Sequence, residues 1–371
     1  MTTISLSKDE KEILSIAVGL KILIIIVGII AFYSLPFSDF YYENNYRFAE
    51  SEGGFIDLWT PWDGQWYLKI ANEGYKPHSQ DVYDIQSRAF LPLYPLLIWI
   101  FSLIFQSKPF TAWLVNVSAS ILAMIYLYRL FQLDYSNVIS KKAVLYIMIF
   151  PSAIFFSSAY TEGLFLLLIV LSFTNSRTRN WRASGVFAGL SALTKVIGVL
   201  IIIPLGYEWY KGEKNREGFW LLLAPAALIT HLTYLKSITG SWTAFLTAQF
   251  IWYKNPFKFS GYEKYLTDYS IHGFRNSLID VTVTLFFVAL LILASKQLRA
   301  SYKIYSIILL ALPIISGNLM SMTRHVIMIF PSFIIMALLT EKKSLNKILI
   351  IFYIAFLILF TTLFVNNYWV G

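Results

Sequence analysis

Long apolar runs recur along the whole chain and are separated by short polar segments. The runs span approximately 12–35, 89–106, 110–133, 142–158, 160–174, 183–210, 218–238, 279–295, 302–318, 324–340 and 346–366. A helix that crosses a bilayer needs about 20 predominantly apolar residues, and most of these runs approach or exceed that length. The pattern predicts an all-α integral membrane protein built as a polytopic helical bundle.

The basic residues are concentrated in the polar segments between the runs. The clusters are Lys8/Lys11, Lys141/Lys142, Arg177/Arg179/Arg182, Lys211/Lys214/Arg216, Lys296/Arg299/Lys303 and Lys342/Lys343/Lys347. Short loops rich in lysine and arginine stay on the cytoplasmic side of a membrane, so the rule places all of these clusters there.

Two of the runs must depart from simple crossings for that rule to hold. The run 89–106 begins "AFLPLYPLLIW" and is predicted to lie on the outer leaflet without crossing. The run 183–210 is predicted to form two short half-helices that meet outside near Thr194–Lys195, because a lysine in the middle of one crossing is costly. The result is about 11 crossings, with the N-terminus inside and the C-terminus outside.

Composition agrees with a membrane protein. The chain is 57% hydrophobic and only 14% charged, whereas a soluble domain is usually about one quarter charged. The net charge of +9 comes from lysines and arginines in the loops between the apolar runs, where they indicate which loops are cytoplasmic. No nucleic-acid partner is therefore expected. The absence of cysteine excludes disulfides and thiolate metal sites. We expect Ile13–Leu35 to be a retained first crossing, with no cleaved signal.

The predicted topology leaves two sizeable segments outside the membrane. Residues 36–109 form an extracytoplasmic loop with juxtamembrane helices, and residues 239–278 form a second extracytoplasmic loop. Neither segment is low in complexity, and both are short for an independent domain. We therefore expect a single transmembrane domain over 1–371.

A few polar residues interrupt the apolar pattern at the predicted outer face. Asp63 lies among aromatic rings in "WTPWDGQWYLKIANEGY", residues 59–75. Glu162 lies in "SSAYTEGLFLLL", Lys195 at the half-helix junction, and Arg324 and His325 in "GNLMSMTRHVIMIFP". These residues converge on one level of the bundle if the topology is correct.

Their chemistry suits transfer of a group from a lipid phosphate. Lys195 and Arg324 would hold the phosphate and stabilise its charge as it leaves. The Asp63 carboxylate would accept the proton of the attacking hydroxyl. Tryptophan and tyrosine faces suit sugar rings.

Each of these residues also has a structural interpretation. Asp63 is a good N-cap for a helix that starts near Gly64. Glu162 could serve as the partner of a nearby lysine, and Arg324 and His325 as snorkelling residues at the interface. Aromatic belts occur at every membrane interface.

Several sequence blocks resemble one known family. "WDGQWYLKIANEGY" followed by "AFLPLYPLLI" resembles the signature of the membrane mannosyltransferase family that includes the second mannosyltransferase of GPI-anchor synthesis. The resemblance continues, in the same order, in "FPSAIFFSSAYTEGLF", "GLSALTKVIGVL", "AFLTAQFIWY" and "SMTRHVIMIFPSF". These blocks span about 62 to 333. The many isoleucines and lysines are typical of a prokaryotic member, so the GPI acceptor is not carried over.

The resemblance implies a fold and a mechanism. The family is similar to GT-C glycosyltransferases, which use a polyprenyl-phosphate sugar, such as dolichyl-phosphate mannose, on the non-cytoplasmic face. By motif position, Asp63 would be the catalytic base. Where many members have Thr-Arg, this chain has Thr194-Lys195, and where Arg-Tyr is common it has Arg324-His325. Lysine binds phosphate as a point charge without the bidentate fork of arginine.

These observations predict a multi-pass membrane enzyme that inverts the sugar's configuration as it moves a hexose, mannose by resemblance. The donor is a polyprenyl-phosphate sugar, and the acceptor is a hydroxyl of a lipid-linked glycan or glycolipid at the extracytoplasmic side. No cofactor and no metal are expected. The site assignments are Asp63 as base; Lys195, Arg324, His325 and Arg88 for the donor phosphate; and Trp62, Tyr94, Glu162, Gln249 and Trp252 for substrate binding.

Two other classes of function remain open at this point. A transporter or flippase of lipid-linked sugars would also place cations and aromatic rings near the membrane. Such a protein needs charges along a path through the bilayer, whereas the charges here are predicted on one side. A binding subunit of a glycan-assembly complex is the third class.

Overall fold

The computed structural model describes residues 6–44, 47, 54–212, 214–251, 278–316 and 318–371. Within these ranges the regular structure is helical and contains no strand, which confirms the predicted all-α class. The α-helices, numbered in chain order, are α1 Lys8–Ser34, α2 Asp39–Asn44, α3 Asp63–Glu73, α4 Val82–Ser87, α5 Leu93–Phe105, α6 Lys108–Gln132, α7 Asn137–Ile149, α8 Glu162–Arg177, α9 Trp181–Ala192, α10 Ile202–Lys211, α11 Leu223–Thr239, α12 Ala244–Ile251, α13 Leu278–Ala294, α14 Ala300–Ile315, α15 Met322–His325, α16 Phe330–Leu339 and α17 Lys343–Val365. Short 3-10 turns join several of them.

Four helical segments in the described ranges are long and apolar enough to cross a membrane. They are Lys8–Ser34, Lys108–Gln132, Arg216–Thr239 and Lys343–Val365. Shorter apolar helices are Leu93–Phe105, Leu278–Leu293 and Ala300–Ile315. These helices confirm a helical multi-pass membrane protein, while the count of about 11 crossings stays a prediction.

The interruption predicted near Thr194–Lys195 is present. Helix α9 ends at Ala192, Lys195 has an extended backbone, and the chain continues as the 3-10 turn Val196–Ile201 into α10. At Gly198 a Cβ atom would lie 2.4 Å from the backbone of Ser191. The turn therefore folds tightly against the end of α9, and the lysine lies at a break between two helices.

A second interruption lies in the run predicted as the single crossing 324–340. Met322–Met328 and Phe330–Leu339 are two helical pieces that meet at 83°. The break falls at Ile329, two residues before Pro331, which lies in the first turn of α16. Proline has no amide hydrogen and restricts the residue before it, so it favours the start of a new helix.

Several ion pairs, together called the belt, connect helices at one end of the bundle. Glu10 of α1 pairs with Arg129 of α6 at 2.5 Å, and Asp134 pairs with Arg177 of α8 at 2.5 Å. Arg299, before α14, pairs with Glu208 of α10. Asp9 of α1 and Lys141 of α7 form a further pair at 2.6 Å. The basic segments around 141, 177 and 299 therefore share one end of the bundle.

The candidate site lies at the opposite end. Helix α8 runs from Glu162 to Arg177, and its 16 residues separate its two ends by about 24 Å. Arg177 belongs to the belt, so Glu162 lies near the far side of the bundle. The segment predicted as the first outer loop, 36–109, contains α2 to α5.

Close packing joins the two central helices α6 and α8. A Cβ atom on Gly163 would lie 2.4 Å from the backbone oxygen of Asn116. The Asn116 side chain accepts a hydrogen bond from the Gly163 amide at 2.7 Å. In lipid, where the hydrophobic effect does not drive helices together, small residues and polar contacts of this kind hold them in place.

Gly163→Ala is expected to destabilise the fold because the added methyl group overlaps the α6 backbone. Overpacking of this kind costs about 1–3 kcal/mol. Thermal unfolding in detergent measures the effect. The matched control is Gly206→Ala in α10, where a Cβ atom meets nothing within 4 Å. Equal midpoints for the two variants would contradict the packing account.

Candidate active site

The backbone at Trp62 sets the direction of the Asp63 side chain. Trp62 has a φ of 60°, a left-handed value that is uncommon for a residue other than glycine, and α3 begins directly after it. Asp63 is therefore the first residue of the helix and not its N-cap. The positive end of the helix dipole lies at this carboxylate.

Asp63 forms an ion pair with a residue from the far end of the chain. The Arg324 Nη1 atom donates to Asp63 Oδ2 at 2.6 Å. Both side chains are largely enclosed, with 17% exposure for Asp63 and 12% for Arg324. The predicted base and a predicted phosphate-binding cation are therefore in direct contact.

Glu162 connects the two predicted cations. Its side chain is 2% exposed, and its Oε1 atom lies 2.8 Å from Lys195 Nζ and 3.4 Å from Arg324 Nε. We call Asp63, Arg324, Glu162 and Lys195 the ion network. It joins the starts of α3 and α8 with the two helix interruptions described above.

Aromatic rings support the Arg324 guanidinium. Its carbon lies 5.4 Å from the centre of the Phe155 ring and 5.3 Å from that of Tyr160. A guanidinium near a ring face is stabilised by the ring's quadrupole. Tyr160 in turn donates its hydroxyl hydrogen to the Pro61 carbonyl at 3.2 Å, so the aromatic support is tied to the segment that precedes Asp63.

The ion network faces a cavity of about 460 Å³. Its polar wall contains Asp63, Glu162, Lys195, Arg324 and His325, and its apolar walls are lined by Val196, Ile197, Val199, Leu200, Phe245, Leu246, Leu312, Pro313 and Met328. A lining that combines charged side chains with many apolar ones fits an amphipathic ligand with a charged head.

Comparison with known families gives one match, over the part of the chain that contains most of this site. Residues 45–211 match the family model described as mannosyltransferase (PIG-V). Over these residues the chain is similar to that mannosyltransferase family. The match covers a little under half of the chain and includes Asp63, Glu162 and Lys195. No curated protein matches the chain.

The family match supports the coarser functional predictions. It supports a glycosyltransferase that uses mannose, with a sugar donor and a glycan acceptor. The multi-pass helical fold agrees with that family assignment. The donor type, the stereochemical course and the membrane side of the site are proposals and are taken up below.

Two further predicted residues line the same cavity. His325 Nε2 lies 2.8 Å from the Leu309 carbonyl, and a carbonyl oxygen only accepts, so Nε2 is the donor in this bond. Gln249 donates from Nε2 to the Ala89 carbonyl at 3.0 Å. Both side chains are positioned by backbone groups at the edge of the cavity.

Three predicted residues do not line this cavity. Trp62 packs edge-on against Trp369, with ring centres 4.9 Å apart. Tyr94 is fully buried and donates to the Ala112 carbonyl at 2.6 Å. Arg88 donates to the Ser79 carbonyl at 2.9 Å. Their assigned roles stay predictions, and Trp252 lies outside the described residues.

Tyr67 is a cavity residue that the sequence analysis missed. It lies four positions after Asp63, so the two side chains share one face of α3. Its hydroxyl lies 3.3 Å from Thr161 Oγ1. Burial, and then the nearby Asp63 carboxylate, raise the pKa of the Tyr67 hydroxyl, which is therefore a neutral donor at physiological pH. The spacing of four residues between Asp63 and Tyr67 within the quoted motif is the signal that could have identified it.

Lys69, on another face of α3, was also missed. It is 6% exposed at its side chain and pairs with Glu73 at 2.7 Å and with Asp84 at 2.8 Å. The second pair fastens α3 to α4. The hydrogen bond from Lys69 holds the pKa of the Glu73 carboxyl below its usual value. This cluster stabilises the helix that carries Asp63.

A second cavity, of about 570 Å³, lies beyond the opposite face of α3. Pro61 and Gln65 line it, together with Tyr42, Arg47 and Asp57. None of the predicted site residues that the structure describes lines this cavity. Across the described ranges no three histidine, aspartate or glutamate side chains are grouped as metal ligands.

Glu162→Gln is expected to lower stability, because it leaves Lys195 and Arg324 without their shared carboxylate. Breaking a buried pair from one side costs about 3–5 kcal/mol. The double variant Glu162→Gln/Lys195→Met is expected to recover part of the loss, with a coupling of about 0.5–3 kcal/mol. Thermal unfolding of the four proteins in the cycle measures it. Strictly additive effects would show that the two side chains do not interact.

Proposed function

We propose that this protein is an inverting glycosyltransferase with a GT-C-like architecture that uses a polyprenyl-phosphate sugar, with mannose as the sugar. The observation that carries the proposal is the Asp63–Arg324 contact at 2.6 Å within one amphipathic cavity. A candidate base and candidate phosphate-binding groups share a pocket whose remaining walls are aliphatic. The family match supports the sugar and the reaction class.

The donor binds with its phosphate at Lys195 and Arg324. A phosphodiester carries one negative charge, which these side chains bind at the expense of their pairs with Glu162 and Asp63. The polyprenyl chain follows the aliphatic wall formed by Val196, Leu200 and Leu312. His325, which lines the same cavity as Arg324, is assigned a further hydrogen bond to the phosphate.

The transfer itself is a single displacement. The acceptor oxygen attacks the anomeric carbon of the sugar, and the bond from that carbon to the phosphate oxygen breaks. The acceptor's proton passes to the Asp63 carboxylate, and polyprenyl phosphate leaves with the electron pair of the broken bond. One displacement inverts the configuration at the anomeric carbon. The cations stabilise the charge that develops on the phosphate.

The site lies at the end of the bundle opposite the ion-pair belt. The positive-inside rule assigns the belt, with its lysines and arginines, to the cytoplasm. We therefore assign the cavity to the extracytoplasmic side and treat 1–371 as one transmembrane domain. The acceptor is a lipid-linked glycan or glycolipid that reaches the cavity from the same membrane.

Asp63→Asn is expected to reduce transfer by about 10²–10⁴-fold, the usual contribution of a general base. The assay follows transfer from synthetic polyprenyl-phosphate mannose to a glycolipid extract by purified protein in detergent. The matched control is Asp39→Asn, an exposed carboxylate in α2 of the same predicted loop. Turnover by the Asp63 variant equal to that of the control would remove Asp63 as the base.

The alternative function, a transporter or flippase of lipid-linked sugars, gains some support from the two interrupted helices. Broken helices are common at the substrate sites of transporters. The two functions differ in one measurement. A flippase moves a labelled polyprenyl-phosphate mannose across the liposome membrane with no glycosidic bond formed, whereas the proposed enzyme forms that bond in detergent.

A further inference from the structure

Lys21 is a basic residue in the middle of α1, the first helix long and apolar enough to cross a membrane. An ionisable residue at such a depth is costly and points to a specific role. No carboxylate in the described part of the chain lies within ion-pair distance of it. Lys21 therefore does not belong to the belt of ion pairs formed by the N-terminal turns of the same helix.

The amine of Lys21 binds a backbone segment near the site. Its Nζ atom donates to the Phe156 carbonyl at 2.7 Å and to the Ser157 hydroxyl at 3.0 Å. The Ser120 hydroxyl of α6 lies 3.2 Å from the same Phe156 carbonyl, but its single hydrogen has a closer acceptor in the Val117 carbonyl at 2.8 Å. Lys21 is thus the main side-chain donor to the Phe156 carbonyl.

The neighbouring carbonyl groups are held in the same way. Asn116 Nδ2 donates to the carbonyls of Phe155 at 2.7 Å and Ser158 at 2.8 Å. Trp113 Nε1 donates to the Ser157 carbonyl at 2.9 Å. Each carbonyl from 155 to 158, here called the carbonyl run, accepts a hydrogen bond from a side chain of α1 or α6. The run ends the 3-10 helix Pro151–Phe156 and continues as irregular backbone, which inside a membrane protein needs such partners.

The carbonyl run leads directly into the ion network. The ring of Phe155, at its start, lies against the Arg324 guanidinium. Glu162, four residues after its end, begins α8 and contacts both cations. A shift of the run would move the aromatic support of Arg324 and the carboxylate that orients Lys195.

We propose that Lys21 is a positioning residue for the transfer reaction, which acts through the carbonyl run to hold the phosphate-binding cations in place. The role in transfer rests on the proposed function. The positioning of the run is a property of the fold and is tested without activity.

The kinetic test compares Lys21→Met, Lys21→Arg and Lys11→Met. Lys11 lies on the same helix, is exposed, and serves as the matched control. Lys21→Met is expected to raise KM for polyprenyl-phosphate mannose about tenfold with a much smaller change in kcat, because donor binding is weakened. Lys21→Arg, which retains donors, is expected to restore KM substantially. Unchanged kinetics in Lys21→Met would overturn the positioning role.

A second measurement uses the absence of cysteine from the chain. Ser158 is fully buried, so a single Ser158→Cys replacement places one protected thiol at the end of the carbonyl run. Adding Lys21→Met is expected to increase its rate of modification by a small methanethiosulfonate reagent about tenfold. Adding Lys11→Met is expected to leave the rate unchanged. Equal rates in the two backgrounds would show that Lys21 does not position the run.

The two measurements separate the proposals. If the unaltered protein transfers no sugar while the thiol rate responds to Lys21→Met, the proposed function fails and the positioning of the run stands. If Lys21→Met does not fold, Trp113→Phe removes the side-chain donor to the Ser157 carbonyl of the same run and is expected to change KM and thiol rate in the same direction. No change in either quantity with Trp113→Phe would overturn the inference.

Discussion

A single buried carboxylate, Glu162, determines how the candidate site is assembled. A charge removed from water is tolerated only with close partners, and Glu162 has Lys195 at 2.8 Å and Arg324 at 3.4 Å. Those cations come from two different helix interruptions, and Arg324 also holds Asp63. The two carboxylates and two cations balance in charge, so an incoming phosphate has to compete with both carboxylates. In the proposed reaction, binding of the donor phosphate to Arg324 therefore weakens the ion pair between Arg324 and Asp63, the base.

The helix interruptions explain why the site lies where it does. Continuous helices in a bilayer satisfy their own backbone groups and expose few polar atoms. Here α9 ends before Lys195, and the chain bends by 83° just beyond Arg324. These breaks accompany the placement of Lys195 and Arg324 at one cavity. Beside them, polar side chains of α1 and α6 bind the carbonyl run that leads to Glu162.

Site residues could be predicted from the sequence where a charged residue interrupts an apolar run. Lys195 could be placed at a helix break because a mid-membrane lysine is costly, and Asp63, Glu162 and Arg324 were grouped because the topology brought them to one face. Contacts that depend on side-chain rotamers could not be predicted from the sequence. Tyr94 was expected to shape the pocket, and its hydroxyl donates to the Ala112 carbonyl. No sequence periodicity predicts the hydrogen bond from Lys21 to the Phe156 carbonyl.

A structure of the protein with a non-hydrolysable polyprenyl-phosphate mannose analogue tests the central claim most directly. We expect the phosphate to lie between Lys195 and Arg324. The anomeric carbon should face Asp63, and the lipid chain should lie along Val196 and Leu312. Density for the analogue in the other cavity, beside Arg47 and with the ion network undisturbed, would contradict it.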